Sequence, residues 1–236
     1  MAEHITEEEQ AEALKRWWND NWLSIVLPIV LALGGYVGWN AWDAYKARQA
    51  EAASIEYQSL LDMVEVGFGQ ELDPNKRLNA KDIANSIVSS YPGGMYADLS
   101  RLMLAKFAVE DKDLAQAASL LQAVVDEGAN ASISELAKTR LARVLSAQGK
   151  HDAALALVSS TSEPAYKALM AEIRGDIHFA QGQISLSRTA YQEALDGLDV
   201  QQFMRQRMIR IKLDSTSAAE PAAVKSEAAE ANEGDA

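Results

Sequence analysis

Residues 171–195 read AEIRGDIHFAQGQISLSRTAYQEAL. Gly175, Phe179, Gly182, Tyr191 and Ala194 stand there at the spacings of G-x3-[YF]-x2-G-x8-[YF]-x2-A. This is the pattern of two short helices folded back on each other. A residue without a side chain at Gly175 lets the second helix cross the first at close range. Gly182 falls between the two periodic segments, where a tight turn calls for positive φ. Tyr191 and Ala194 would pack toward a neighbouring unit.

The same unit recurs upstream. Leu104-Ala105-Lys106 returns as Leu141-Ala142-Arg143, 37 residues on, and Ala117-Ala118 with Leu121 returns as Ala153-Ala154 with Val158. Ala142 and Gly149 return as Gly175 and Gly182, 33 residues on. That period is the ~34 residues of the tetratricopeptide repeat. Lys112 takes the glycine's place in the first unit, which makes its turn less certain. With three units in phase and no proline inside the helices, the fold class is all-α: a tetratricopeptide-like helical solenoid. Gln201–Leu213 reads as the helix that covers the last unit, and residues 214–236 carry too little apolar surface to fold. Toward the N-terminus, Ala50, Ala53, Tyr57, Leu60 and Val64 alternate spacings of three and four, as a first helix would. A break is expected at Gly67-Phe68-Gly69, followed by a helix capped by Asp73, opened by Pro74 and stopped at Pro92-Gly93-Gly94.

Before the repeats lies Trp22–Trp42, WLSIVLPIVLALGGYVGWNAW. It has no Asp, Glu, His, Lys or Arg over about 21 residues and spans ~31 Å as a helix, the thickness of a bilayer's hydrocarbon core. All five tryptophans stand at its ends: Trp17, Trp18 and Trp22 at one, Trp39 and Trp42 at the other. Indole rings favour the headgroup level on both sides. A cleavable signal peptide would be shorter and would end in small residues, so this is an uncleaved signal anchor in the lipid bilayer. Lys15 and Arg16 precede it and Lys46 and Arg48 follow, so the count of cations leaves orientation tied, with a slight lean to a cytoplasmic N-terminus. Gly34 and Gly38 form a GxxxG pair, a flat groove for another membrane helix. The expected division is 1–21 cytoplasmic tail, 22–42 anchor, 43–213 repeat domain and 214–236 disordered acidic tail.

Composition excludes several functions. The formal net charge of −12 disfavours nucleic acid, which needs a basic face. Absence of cysteine removes disulfides, thiol catalysis and zinc–thiolate sites. His4, His151 and His178 are isolated, with no second ligand at metal spacing. There is no nucleophile elbow and no phosphate loop. No cofactor, metal or catalytic constellation is expected, and an enzyme is the minority reading. Binding is expected on the concave face, lined by the first helix of each pair. That face should carry Leu102, Lys106 and Val109, then Thr139, Arg143 and Ser146, then Glu172, Asp176 and Phe179. Lys106, Arg143 and Asp176 hold equivalent places, so one groove would present two positive charges and then a negative one, beside Phe179.

The chain resembles the YfgM family of bacterial inner-membrane proteins over about residues 10–213. The resemblance rests on EALKRWW (12–18), Gly38-Trp39, YADLSRLMLAKFAVEDKDLAQAASLLQ (96–122), TRLARVLSAQGKHDAALALV (139–158) and AEIRGDIHFAQGQISLSRTAYQEAL. It implies a single-pass inner-membrane protein, N-terminus cytoplasmic and repeat domain periplasmic. It also implies an ancillary role at the Sec translocon, beside a membrane-anchored periplasmic chaperone of the peptidyl-prolyl isomerase type, in the biogenesis of secreted or outer-membrane proteins. The alternative is an oligomeric envelope scaffold without a translocon role, self-associating through Gly34 and Gly38.

Overall fold

Asp73 and Pro74 show how the repeat unit begins. The Asp73 carboxylate accepts the Asn75 and Lys76 amides at 2.9 and 3.1 Å, and Pro74 fills the first helical position, where no amide is needed. The computed structural model describes residues 7–65 and 72–217, so the break expected at Gly67–Gly69 and the tail beyond 217 lie outside the described residues. Helix α1 covers Glu7–Val64, α2 Pro74–Ser90, α3 Met95–Glu110, α4 Leu114–Glu127, α5 Ala131–Ala147, α6 His151–Leu157, α7 Lys167–Ala180 and α8 Ile184–Asp196. Residues 203–217 form a last helix, α9. Strands are absent among the described residues.

The chain divides into two compact units, Met1–Ala52 and Ala53–Ala236. In the first, α1 carries its apolar side chains bare. Leu27, Ile29, Val30, Leu31, Leu33 and Val37 are all exposed, as are the five tryptophans. Such a surface is stable only against lipid or another apolar helix. It is the one helix among the described residues long and apolar enough to cross a membrane. Pro28 sits inside it without ending it.

The second unit stacks helix hairpins. Residues 53–64 of α1 pack against α2 and α3: Leu60 is fully buried with Ala80, Ala84, Ile87 and Phe107, and the Tyr57 ring lies 5.5 Å from that of Tyr96. Hairpin α3–α4 shares a core of Leu102, Ala117, Leu121 and Val124 with Leu141 of α5. Ala142, Ala154, Val158, Met170 and Ile173 tie α5–α6 to α7. Each buried Leu or Ile contributes roughly 1.5–3 kcal/mol. The expected turn glycines, Gly149 and Gly182, have φ of 77° and 73°, and Lys112 holds the same turn at 64°. At the hairpin crossing, a Cβ on Gly175 would collide with the Tyr191 ring. The last helix extends past the expected end at Leu213, because Thr216 is still fully buried against the unit.

Candidate functional site

Helices α3 and α5 are the first helices of consecutive hairpins and lie side by side, with α4 behind them. Leu102, Ala105 and Val109 of α3, Leu114 and Leu121 of α4, and Val144 and Ala147 of α5 enclose a groove of about 490 Å³. Its walls are apolar, and Lys106, Glu110, Arg140 and Arg143 stand at its rim. Three cations thus meet at one apolar mouth on a chain whose formal net charge is −12.

These cations are poorly compensated. Glu110 lies 3.8 Å from Lys106, but it is already engaged by Arg77 of α2 at 2.5 Å. Lys106 is 63% exposed. Arg140 and Arg143 have no carboxylate partner among the described residues. Burial raises the pKa of the Tyr57 hydroxyl, and the Arg140 cation nearby partly offsets that. The groove therefore offers an apolar floor with a positive rim. That surface suits an apolar anchor flanked by carboxylates, and a cation there would meet repulsion.

Lys106 and Arg143 come together in this groove with Leu102 and Val109. Asp176 does not join them as a free charge. Lys212 of α9 donates to both Asp176 oxygens at 2.7 and 2.9 Å, and the Tyr191 hydroxyl donates to Asp176 at 2.9 Å. Glu172 is closed off in the same way by Arg205 at 3.1 Å and Lys212 at 2.8 Å. The physical reason is that α9 stacks on α7 and lays its cations over this third segment of the face. Burial alone would lower the Lys212 pKa, but the bonds to Asp176 and Glu172 outweigh it and raise the value. Burial pushes the Tyr191 hydroxyl well up, and Asp176 adds to the rise. Phe179 is 39% exposed on α7, outside the groove lining. Thr139 is buried and donates to the Leu136 carbonyl at 2.7 Å, while Ser146 pairs with His151 Nδ1 at 3.2 Å.

Arg140 was not among the expected residues. Its signal was available: it precedes Arg143 by three residues and Ala147 by seven, the spacing of one helix face. A second unforeseen feature is a pair of buried carboxylates at equivalent repeat positions, Asp98 and Glu135. Each pairs with a cation three residues on, Arg101 at 2.9 Å and Lys138 at 2.7 Å. Asp98 also accepts the Ala129 amide at 2.7 Å, pinning the turn before α5. On α1, Gly34 and Gly38 share a face, and nothing lies within 4 Å of a Cβ placed on either. His178 Nδ1 lies 2.7 Å from Gln183 Oε1, a local contact at a hairpin turn. Among the described residues no group of three or more His, Asp or Glu side chains could hold a metal ion.

Stacked helical hairpins with a lined groove, following one membrane-length helix in the sequence, define a tetratricopeptide-type repeat protein with a candidate anchor. The tetratricopeptide repeat-like domain family matches residues 15–218. An "Ancillary SecYEG translocon subunit" of Aggregatibacter actinomycetemcomitans is 30% identical over 215 residues, 91% of this chain and 100% of the relative. Proteins of the same description from Neisseria gonorrhoeae and Escherichia coli K12 are 29% and 25% identical, over 91% and 92% of this chain and 99% and 100% of theirs. No solved structure matches. The chain belongs to this family of ancillary translocon subunits, the YfgM family, whose members are non-catalytic.

Proposed function

We propose that the protein is an adaptor of the Sec translocon, held in the bacterial inner membrane by residues 22–42, with residues 1–21 cytoplasmic and the repeat unit from residue 43 onward periplasmic. Its groove takes hold of a partner or of an emerging chain, and links the translocon to a membrane-anchored periplasmic chaperone of the peptidyl-prolyl isomerase type. The reading is supported by the relatives' description as translocon subunits. The observation that carries it is the apolar groove whose rim cations Arg140 and Arg143 have no carboxylate partner among the described residues. Tethering would supply much of the effect, because a short tether holds a binding surface at about millimolar effective concentration. Even a weak groove contact would then suffice.

The test is recovery of SecY and of the chaperone with the tagged protein from detergent-solubilised membranes after mild crosslinking. Arg140→Glu with Arg143→Glu should cut recovery about ten-fold, roughly 1.4 kcal/mol. Both residues are exposed, so melting temperature should hardly move. Undiminished recovery with the folded double variant would remove the groove from the proposal. Recovery of copies of the protein itself, without translocon subunits, would favour the scaffold alternative.

A further inference from the structure

We propose that the outward face of α9 docks an acidic amphipathic helix of a partner protein. Val200, Phe203, Met204, Met208 and Ile211 are 87%, 66%, 60%, 62% and 61% exposed. At ~100° per residue, Phe203, Met204, Arg207, Met208 and Ile211 fall in one sector of α9. Ile209 and Thr216, both fully buried, occupy the opposite side. Ile209 packs on Ala171, Tyr191 and Ala194, so the bare sector is the open end of the helix stack. The last helix of a solenoid is ordinarily polar outside. Elsewhere in this unit exposed large apolar residues such as Leu78, Met95 and Leu186 stand singly on different helices.

Charge decides the occupant. Arg207, within the sector, and Arg210, at its edge, have no ion pair or hydrogen bond among the described residues, and with Asp214 on the same side the face keeps a net positive charge. A second copy packed about a two-fold axis passing between Arg207 and Arg210 would bring the arginines of both copies together, which like charges oppose. An anionic lipid surface repels a chain of net charge −12, and two arginines are too few to reverse that. Residues 218–236 are acidic, but Val224 is their one large apolar side chain, too little to fill the stripe. A helix with apolar residues at i, i+3, i+4 and i+7 and Glu on the flanks satisfies both features at once. Met204 and Met208 add side chains that adapt to such a ligand.

The chain has no cysteine, so Met208→Cys in the full-length protein carries a single polarity-sensitive dye. The protein is held in phosphatidylcholine nanodiscs. The probe is a synthetic peptide about four helical turns long, with Leu on one face and Glu on its flanks, against a copy with Lys for Glu. The Glu peptide should shift the dye to the blue and bind at least about ten-fold tighter than the Lys peptide. Arg207→Glu with Arg210→Glu should abolish that preference, whereas Arg140→Glu with Arg143→Glu should leave it intact. This separates α9 from the groove proposed above. Equal binding of both peptides, or a preference lost only in the Arg140/Arg143 variant, would overturn the proposal. So would a blue shift without peptide that grows with protein concentration, appears only in phosphatidylglycerol nanodiscs, or vanishes on deleting residues 218–236. Those results would assign the face to a second copy, to lipid, or to the chain's own end.

Discussion

Lys112 is where a single side chain is most at odds with its backbone. At φ of 64° a Cβ crowds the carbonyl oxygen, which costs about 1–2 kcal/mol. Gly149 and Gly182 make the same turn without that strain. Lys112→Gly should therefore stabilise the repeat unit by about 1 kcal/mol and raise Tm by ~2–4 °C, read by calorimetry or circular dichroism. Unchanged or lowered Tm would show that the turn is not strained. Gly175 is the converse case. Its missing Cβ makes room for the Tyr191 ring, so Gly175→Ala should destabilise by roughly 1–3 kcal/mol. These positions also show what a sequence reveals. A turn glycine or a crossing glycine is visible because one residue type satisfies its geometry. Arg140 could be placed on the face of Arg143 and Ala147 by spacing, but neither its role nor that of the buried pair Asp98–Arg101 is visible in that way. A cation on a helix surface reads alike whether it is solvated or stands at the mouth of a groove.

Among the elements, α9 departs furthest from the sequence reading. Its existence follows from Phe203, Met204, Met208, Ile209 and Ile211, but spacing does not say which of these faces inward. Ile209 is fully buried and the other four are exposed. What holds the helix is charge as much as burial: Arg205 and Lys212 reach Glu172 and Asp176 on α7. That is why Asp176, legible as a groove charge by its repeat position, is consumed within the fold. The knot carries a pH signature. Burial alone would raise the Glu172 carboxyl, but the bonds from Lys212 and Arg205 outweigh it and lower the pKa. A lowered pKa means that its contribution is full above the ordinary carboxylate value and is lost as pH falls through the depressed one. Lys212 is raised, so its contribution is full below its ordinary value and is lost as pH rises through the elevated one. The protection of α9 amides against exchange should be flat across neutral pH and fall below the carboxylate range, about pH 4. Glu172→Gln should destabilise α9 by ~1–3 kcal/mol at neutral pH and remove Glu172's share of the acid loss, leaving protection of α9 less dependent on pH. An exchange profile in Glu172→Gln identical to that of the parent would place the hold on α9 entirely in Ile209 and Thr216.

For the molecule as a whole, the side of the membrane that the repeat unit occupies decides what its groove can meet. Two cations precede the apolar segment, Lys15 and Arg16, and two follow, Lys46 and Arg48. The orienting force of basic flanks therefore cancels, and acidic residues add little to it. A large domain crosses largely regardless of its charge, so the excess of carboxylates does not forbid export. The proposed role as an adaptor on the exit side of the translocon requires the repeat unit outside. Protease added to intact spheroplasts should then digest the chain from about Asp43 onward, leaving an N-terminal fragment that carries the anchor. A tag placed at residue 2 should stay protected until the membrane is opened. Introducing Lys at positions 43 and 44 would break the tie by giving the far flank four cations against two. That change should invert part of the population, read as a protease-resistant repeat unit. If the unmodified chain keeps its repeat unit protected in sealed spheroplasts and yields it only on lysis, the orientation is reversed. The groove would then face the cytoplasm, and the exit-side role would fall with it.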